Sequence, residues 1–408
     1  MIAEGHVQWE PFVERTPAKC HTAEWHRETG DNEGVRPLRS AGPASTRAHP
    51  PARAAVAAAA LLATSVLLAS TVLAISVLLA STVLAHGGTV PEEAPSAATL
   101  LLGWSFDPLV WLPAIVALLL WRTGVQRVNR EHRAHPVARP RTWSWVAGVF
   151  VIVFALDSGI GRYDTTLFSD HMVQHMCLTL VAPPLLLWAG PITLLLRASS
   201  AATRRRWIYP FLHARVIRFL AFPVVSWLIF AAVMWGSHFS PLFDASLENE
   251  WAHRFEHALY LAAALLFWWP VVGPDPAPYR LSPPVKVLYV GLQMPQNTFL
   301  ALAIYMASAP LYPHYVTTVR PWGPTPLEDQ QLAGGLMWIG GDLVFIAAVV
   351  LLTMAWMRFE QRQTVGEDRR LEPERAAIRE RAARLAERKA AEAAAQATAP
   401  EKPGVSGP

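Results

Sequence analysis

The chain is dominated by long apolar runs separated by short polar segments. A helix needs about 20 mostly apolar residues to cross the hydrocarbon layer, and its backbone polar groups must be paired internally. By that measure the sequence predicts eight spans, at 56–85, 106–121, 143–160, 171–196, 220–236, 251–272, 285–308 and 333–357. The pattern therefore predicts an all-α, polytopic integral membrane helical bundle.

Composition supports this class of protein. Of the 408 residues, 52% are hydrophobic and only 16% are charged, and the charges concentrate in the two ends and in short loops. This distribution is not that of a soluble globular enzyme or a disordered chain. The two cysteines, Cys20 and Cys177, do not suggest a disulfide scaffold. We expect a lipid bilayer as the surroundings and no nucleic acid as a partner, since the net charge is only +4.

Basic residues predict the orientation. Lys and Arg concentrate in the loops 122–141, 197–218 and 280–286, whereas the intervening loops carry only Arg162 and Arg320. Cytoplasmic loops are enriched in these residues. The sequence therefore predicts a multi-pass protein of a bacterial-type plasma membrane, with both termini cytoplasmic if the first span is not cleaved.

The two ends differ from the rest of the chain. Residues 1–55 are polar and rich in proline, and we expect a disordered cytoplasmic segment, although a true translation start nearer Arg53 stays open. In 56–85 the run SVLLASTVLA occurs twice, which fits an uncleaved anchor better than a lengthened signal peptide cleaved after Ala85. Residues 361–408 are charged and rich in alanine, as is typical of a solvated cytoplasmic tail.

Two histidine pairs are the strongest candidates for chemistry. His171 and His175 lie at the predicted outer start of one span, and His253 and His257 at the outer start of another. Residues four apart share a helix face, so neighbouring helices would bring four imidazoles into one metal site. Nearby thioether and thiol groups make copper the expected metal. Polarity at a helix end is the alternative interpretation.

Other residues are weaker candidates. Further possible ligands are Met172, Met176, Cys177, His238, His314 and His86, although methionine in a membrane helix usually serves packing. Asp170, Glu250 and Glu256 are expected to orient the imidazoles from outside the ligand set. Asn297 and Asp342 are intramembrane polar groups, where Asp342 would line a proton or substrate path or form a buried hydrogen bond. If the ion is to be passed on, it must leave by ligand exchange, and the site is then expected to be shallow and open.

Several other functions remain open on these residues. A haem-binding redox protein would use helix histidines as axial ligands, and a copper transporter would use Asn297 and Asp342 along its path. A scaffold without metal is a further alternative. The segment His253–His257 also matches the H-x-x-E-H peptidase pattern, but that pattern is short and no further acidic ligand or substrate cleft is evident.

Three long motifs carry a family resemblance: HMVQHMCLTLVAPPLLLWAGP at 171–191, FWWPVVGPDP at 267–276 and RPWGPTPLEDQQLAGGLMW at 320–338. They resemble the CtaG family, the assembly factors for caa-type cytochrome c oxidase, over residues 104–360. The resemblance implies a seven-helix membrane core and a non-enzymatic assembly factor or metallochaperone. Its partners would be cytochrome c oxidase subunits, and its action would be copper delivery or assembly of a metal centre.

The resemblance also bears on individual residues. His171 and His175 match the family's His-Met-Val-Gln-His motif. His257 is similar to a histidine at the head of a later span, and His253 is a weaker match. Met176 and Cys177 stand where aliphatic residues are expected in relatives. The repeat in 56–85 and the segment before it lie outside the family pattern.

Overall fold

The computed structural model describes residues 90–397. The predictions for 1–55 and 56–85, for His86 and for the last residues of the tail lie outside the described part. Within it the chain is helical, without strands. The principal helices are α1 Pro108–Glu131, α2 Arg139–Tyr163, α3 Phe168–Ala198, α4 Pro223–His238, α5 Leu242–Glu248, α6 Glu250–Trp268, α7 Pro283–Tyr305 and α8 Pro326–Ala394. A short helix at Ala97–Leu102 precedes α1, and short helices at Arg215–Leu220 and Pro313–Thr317 lie between the principal helices.

Five of these helices are long and apolar enough to cross a membrane: α1, α2, α3, α7 and α8. The pair α4 and α5, which meet at an angle of 65°, passes the same test as one broken span. The predicted span 251–272 corresponds to α6, whose first turns carry Glu250, Arg254 and Glu256. These charges make α6 less apolar than the helices around it.

The termini of two helices differ from the predicted spans. α1 continues to Glu131, because its last turns, though polar, keep their helical bonds and add an ion pair of 2.9 Å between Arg127 and Glu131. α8 begins at Pro326, before the predicted residue 333, since a capping box of Thr325 and Glu328 starts the helix among polar residues. It then continues far beyond 357 as an exposed helix.

α3 is the central helix of the core. It packs against α1, α2, α6 and α8, while α4 packs on α6 and α7 packs on α8. The helix contains a π-helical turn at Cys177–Val181 and a break at Gly190, which has a φ of +80°. Such a φ suits glycine because a side chain there would be strained. α3 therefore positions the candidate site relative to every neighbouring helix.

Carboxylates from other segments satisfy the free backbone N–H groups of α3. Asp329 accepts hydrogen bonds from the Phe168 N–H at 2.7 Å and from the Ser169 hydroxyl at 2.6 Å. Asp275, in the loop after α6, accepts from the N–H groups of Ile192 and Thr193 at 2.9 and 2.7 Å. An acceptor at a helix N-terminus replaces the water that would otherwise solvate these donors. Both the start of α3 and its second segment are thereby fixed by tertiary contacts.

Candidate metal centre

The first turns of α3 and α6 bring the two histidine pairs together. Within each pair, His171 with His175 and His253 with His257, the ring centroids are 4.2 Å apart. Between the helices, the centroid distances are 5.1 Å for His171 with His253 and 5.7 Å for His175 with His257. The i, i+4 spacing thus places both pairs on helix faces that meet.

The ligand atoms fall into two overlapping sets of three. One set is His171, His253 and His257, and the other is His171, His175 and Glu256; within each, the ligand atoms lie within 4.8 Å of one another. His171 belongs to both sets, and its Nε2 lies 2.8 Å from Nε2 of His175. A metal ion in the second set would take the place of the proton shared by those nitrogens. All four imidazoles of the predicted site belong to one or both of these sets.

Glu256 is the one carboxylate in the two ligand sets. Its carboxylate lies 3.8 Å from Nε2 of His171, and the hydroxyls of Ser246 and Tyr260 are hydrogen-bonding groups beside it. The side chain is fully buried. A buried carboxylate ordinarily has a charge or hydrogen-bond partner. Glu256 therefore lies within reach of the same ion as His171 and His175, and it is also close enough to His171 to orient that imidazole.

The cluster is buried, whereas delivery suggested a shallow, open site. His171 is 0% exposed, His175 5% and His257 8%. Phe243 of α5 covers the pair on α3, with its ring centroid 5.0 Å from that of His171, and Tyr315 of the Pro313–Thr317 helix lies beside it. The bend between α4 and α5 places Phe243 over the histidines, which the hydrophobic pattern did not reveal.

Three polar residues that the sequence did not single out position the imidazoles. Gln174 accepts a hydrogen bond of 2.9 Å from Nε2 of His257, and its amide donates to Asp164 at 3.0 Å. Asp164 also lies 3.8 Å from Nε2 of His253. The Tyr315 hydroxyl donates to the Asp164 carbonyl at 2.9 Å and lies 3.3 Å from Nδ1 of His171.

Asp164 lies in the loop between α2 and α3, outside the spans. Burial raises the pKa of its carboxyl to about 7, an effect that the hydrogen bond from Gln174 opposes. Of these three residues, Gln174 carried a usable signal, because it stands inside the His-Met-Val-Gln-His motif. Asp164 and Tyr315 come from separate loops, and no spacing rule connects them to the histidines.

The remaining histidine and carboxylate candidates lie outside the two ligand sets. Nε2 of His314 lies 2.9 Å from the carbonyl oxygen of Thr165, within hydrogen-bond distance. Glu250 forms an ion pair with Arg254. Asp170 has one buried carboxylate oxygen without a hydrogen-bond partner, but it belongs to neither set.

The sulfur residues and the intramembrane polar groups also have defined places. Cys177 begins the π-helical turn of α3 and packs against the cluster around α1 and α2. Met172 and Met176 line a small cavity together with His238. Asp342 accepts hydrogen bonds from Asn297 at 3.2 Å and from Thr298 at 2.7 Å, as the buried hydrogen-bond interpretation requires.

The geometry disfavours two of the alternative functions. A haem with axial histidines from facing helices needs a porphyrin-sized gap between them, and here the rings of α3 and α6 pack against each other. A peptidase needs a cleft that admits a peptide, and His257 and Glu256 of the H-x-x-E-H segment are buried.

Fold and site together define a multi-pass helical membrane protein with a buried cluster of histidines at one end of its core. The family model of the cytochrome c oxidase caa3 assembly factors (Caa3_CtaG) matches residues 119–359, more than half of the chain. The chain belongs to this family, which confirms the resemblance found in its motifs.

Three similar proteins come from mycobacteria. They are described as uncharacterized proteins of Mycobacterium bovis, Mycobacterium tuberculosis and Mycobacterium leprae, and each is 32% identical over 284 residues, which is 68% of this chain and 43% of the relative. The chain thus spans less than half the length of these relatives. No solved structure matches it significantly.

Proposed function

We propose that this protein binds copper in the histidine cluster and presents it, at the extracytoplasmic side of the membrane, to a subunit of cytochrome c oxidase. One observation carries the proposal: three-ligand sets of imidazole and carboxylate groups from two helices converge on His171 in a member of an oxidase assembly family. The protein acts in assembly and not as an enzyme.

The chemistry of the cluster supports copper as the metal. Imidazole nitrogen suits copper, zinc and iron, and thioether sulfur adds a preference for copper. Met172 and Met176 follow His171 and His175 by one residue on α3. Haem–copper oxidases need copper for their own metal centres, so copper is the metal that such a family would handle.

The side of the membrane follows from the charges. With Lys and Arg loops on the cytoplasmic side, the start of α3 and the start of α6 both lie at the outer end of the core. Counting α6 and the broken span α4–α5 as crossings gives seven membrane helices. The cover formed by Phe243 and Tyr315 must move before copper reaches a partner, and docking of an oxidase subunit supplies that opening.

The double variant His171→Ala/His175→Ala tests the proposal. Because both ligand sets lose His171, we expect the purified protein to lose its bound copper and cells to lose active oxidase, at unchanged abundance of the variant. Metal analysis and oxidase activity are the measurements. The matched control is His132→Ala/His135→Ala, which changes two exposed histidines between α1 and α2. Normal copper content and normal oxidase activity in the His171/His175 variant would refute the proposal.

A further inference from the structure

The small cavity lined by Met172, Met176 and His238 lies next to the histidine cluster, further along α3. It has a volume of about 30 Å³, which is enough for one ion or one water molecule. Four of the chain's nine methionines line it, from α3, α4 and α8: Met172, Met176, Met234 and Met337. His175 and His238 line it as well. Six potential soft or borderline ligands therefore surround a space of ionic size.

His238 has a ring nitrogen ready for a metal. Its Nδ1 lies 2.7 Å from the Met234 carbonyl, so this nitrogen carries the proton and donates. The other nitrogen, Nε2, then carries a lone pair, and it is buried without a hydrogen-bond partner. A backbone carbonyl that fixes one imidazole nitrogen is the usual outer partner of a histidine metal ligand.

His175 faces both sites. Its Nε2 shares a hydrogen bond with Nε2 of His171 in the histidine cluster, while its Nδ1 is buried without a hydrogen-bond partner. The ring centroids of His175 and His238 are 6.4 Å apart. Two buried ring nitrogens without partners, on residues that line one cavity, are not explained by apolar packing, because burying such groups unpaired costs free energy.

The backbone around the cavity is irregular at two places. Thr179 and Leu180 belong to the π-helical turn of α3, and Met337 belongs to a second π-helical turn at Leu336–Gly340 of α8. Single π-helical turns occur frequently at functional sites. Gly340 also makes room for a ligand side chain, since a Cβ there would lie 2.7 Å from Cε of Met176.

We propose that this cavity is a second copper site, specific for the soft monovalent ion Cu(I) and formed by His175, His238 and the thioethers of the four methionines. It rests on the proposed function in that copper is the cargo of both sites. Thioether sulfur selects Cu(I) over harder divalent ions. Because His175 contacts both sites, the ion passes between them by exchange of one ligand at a time, without change of oxidation state.

The test uses the full chain in nanodiscs and a Cys177→Ser background, so that no thiol of the membrane core contributes. Silver ion, a monovalent thiophilic probe, is titrated into the protein, and the X-ray absorption of the Cu(I)-loaded form reports sulfur ligands. In Met234→Leu/Met337→Leu we expect silver binding at least about 10-fold weaker and reduced sulfur scattering, as metal sites lose affinity with their ligands. Met294→Leu/Met306→Leu is the control, since neither residue lines the cavity. Equal thermal unfolding midpoints show that the variants fold.

A second variant separates this site from the histidine cluster. His253→Ala/His257→Ala removes ligands of the first site only, and we expect it to keep sulfur-coordinated silver and copper. If the parent shows no sulfur scattering, or if Met234→Leu/Met337→Leu binds silver like the control, the cavity is ordinary packing and the second site is wrong. That result leaves copper binding by the histidine cluster standing. Loss of sulfur-coordinated silver and copper in the His253/His257 variant would likewise overturn the cavity as a separate copper site.

Discussion

At the residue scale, a single glutamine determines how His257 presents its nitrogens. The amide of Gln174 donates to the Ala155 carbonyl and to Asp164, at 3.1 and 3.0 Å, so its oxygen must face His257. Nε2 of His257 therefore donates the proton and Nδ1 keeps the lone pair. The tautomer follows from the hydrogen-bond network rather than from any feature of His257 itself.

Replacing Gln174 by leucine tests this role. The variant Gln174→Leu removes the acceptor for His257, and loss of such an outer partner weakens metal binding by roughly 10- to 100-fold. Copper affinity of the purified protein is the measurement. Gln361→Leu, in the exposed extension of α8, serves as the control. Unchanged affinity in Gln174→Leu would show that His257 is held by its packing alone.

Residue patterns predicted part of this site. Spacing along one helix identified both histidine pairs, because i, i+4 periodicity is a local property. Asp164 and Tyr315 were missed, since their positions beside the histidines depend on how loops and helices meet. The methionines of the cavity likewise come from three helices, and only Met172 and Met176 were close enough in sequence to be noticed together.

At the element scale, α3 depends on acceptors outside itself. Its first turn, which ends at His171, is capped by Asp329 of α8 rather than by a neighbour in sequence. The predicted span 333–357 begins after Asp329, because the prediction followed apolar runs and this residue precedes the run. Helix existence was therefore predictable, whereas the residues that fix the start of α3 were not.

The variant Asp329→Asn tests this capping. An amide offers one acceptor oxygen, so one of the donors, the Phe168 N–H or the Ser169 hydroxyl, is left buried and unpaired at a cost of about 1–3 kcal/mol. We expect a lower thermal unfolding midpoint and faster amide hydrogen exchange at the start of α3. Asp368→Asn breaks an exposed ion pair with Arg375 instead and is expected to have little effect. Equal stability of the two variants would contradict the capping role.

At the scale of the whole molecule, the proposal depends on which side of the membrane holds the histidines. The cluster lies at the end of the core away from the basic loop between α1 and α2. Cysteine labelling in intact cells checks this. In a Cys20→Ser/Cys177→Ser background, one variant carries Ser240→Cys, beside the cluster, and another carries Ala134→Cys, in the basic loop. Both positions are exposed. A membrane-impermeant maleimide should label only Ser240→Cys, and both variants after lysis. Labelling of Ala134→Cys alone in intact cells would place the histidines on the cytoplasmic side, where copper could be taken up but not handed to the outer face of an oxidase.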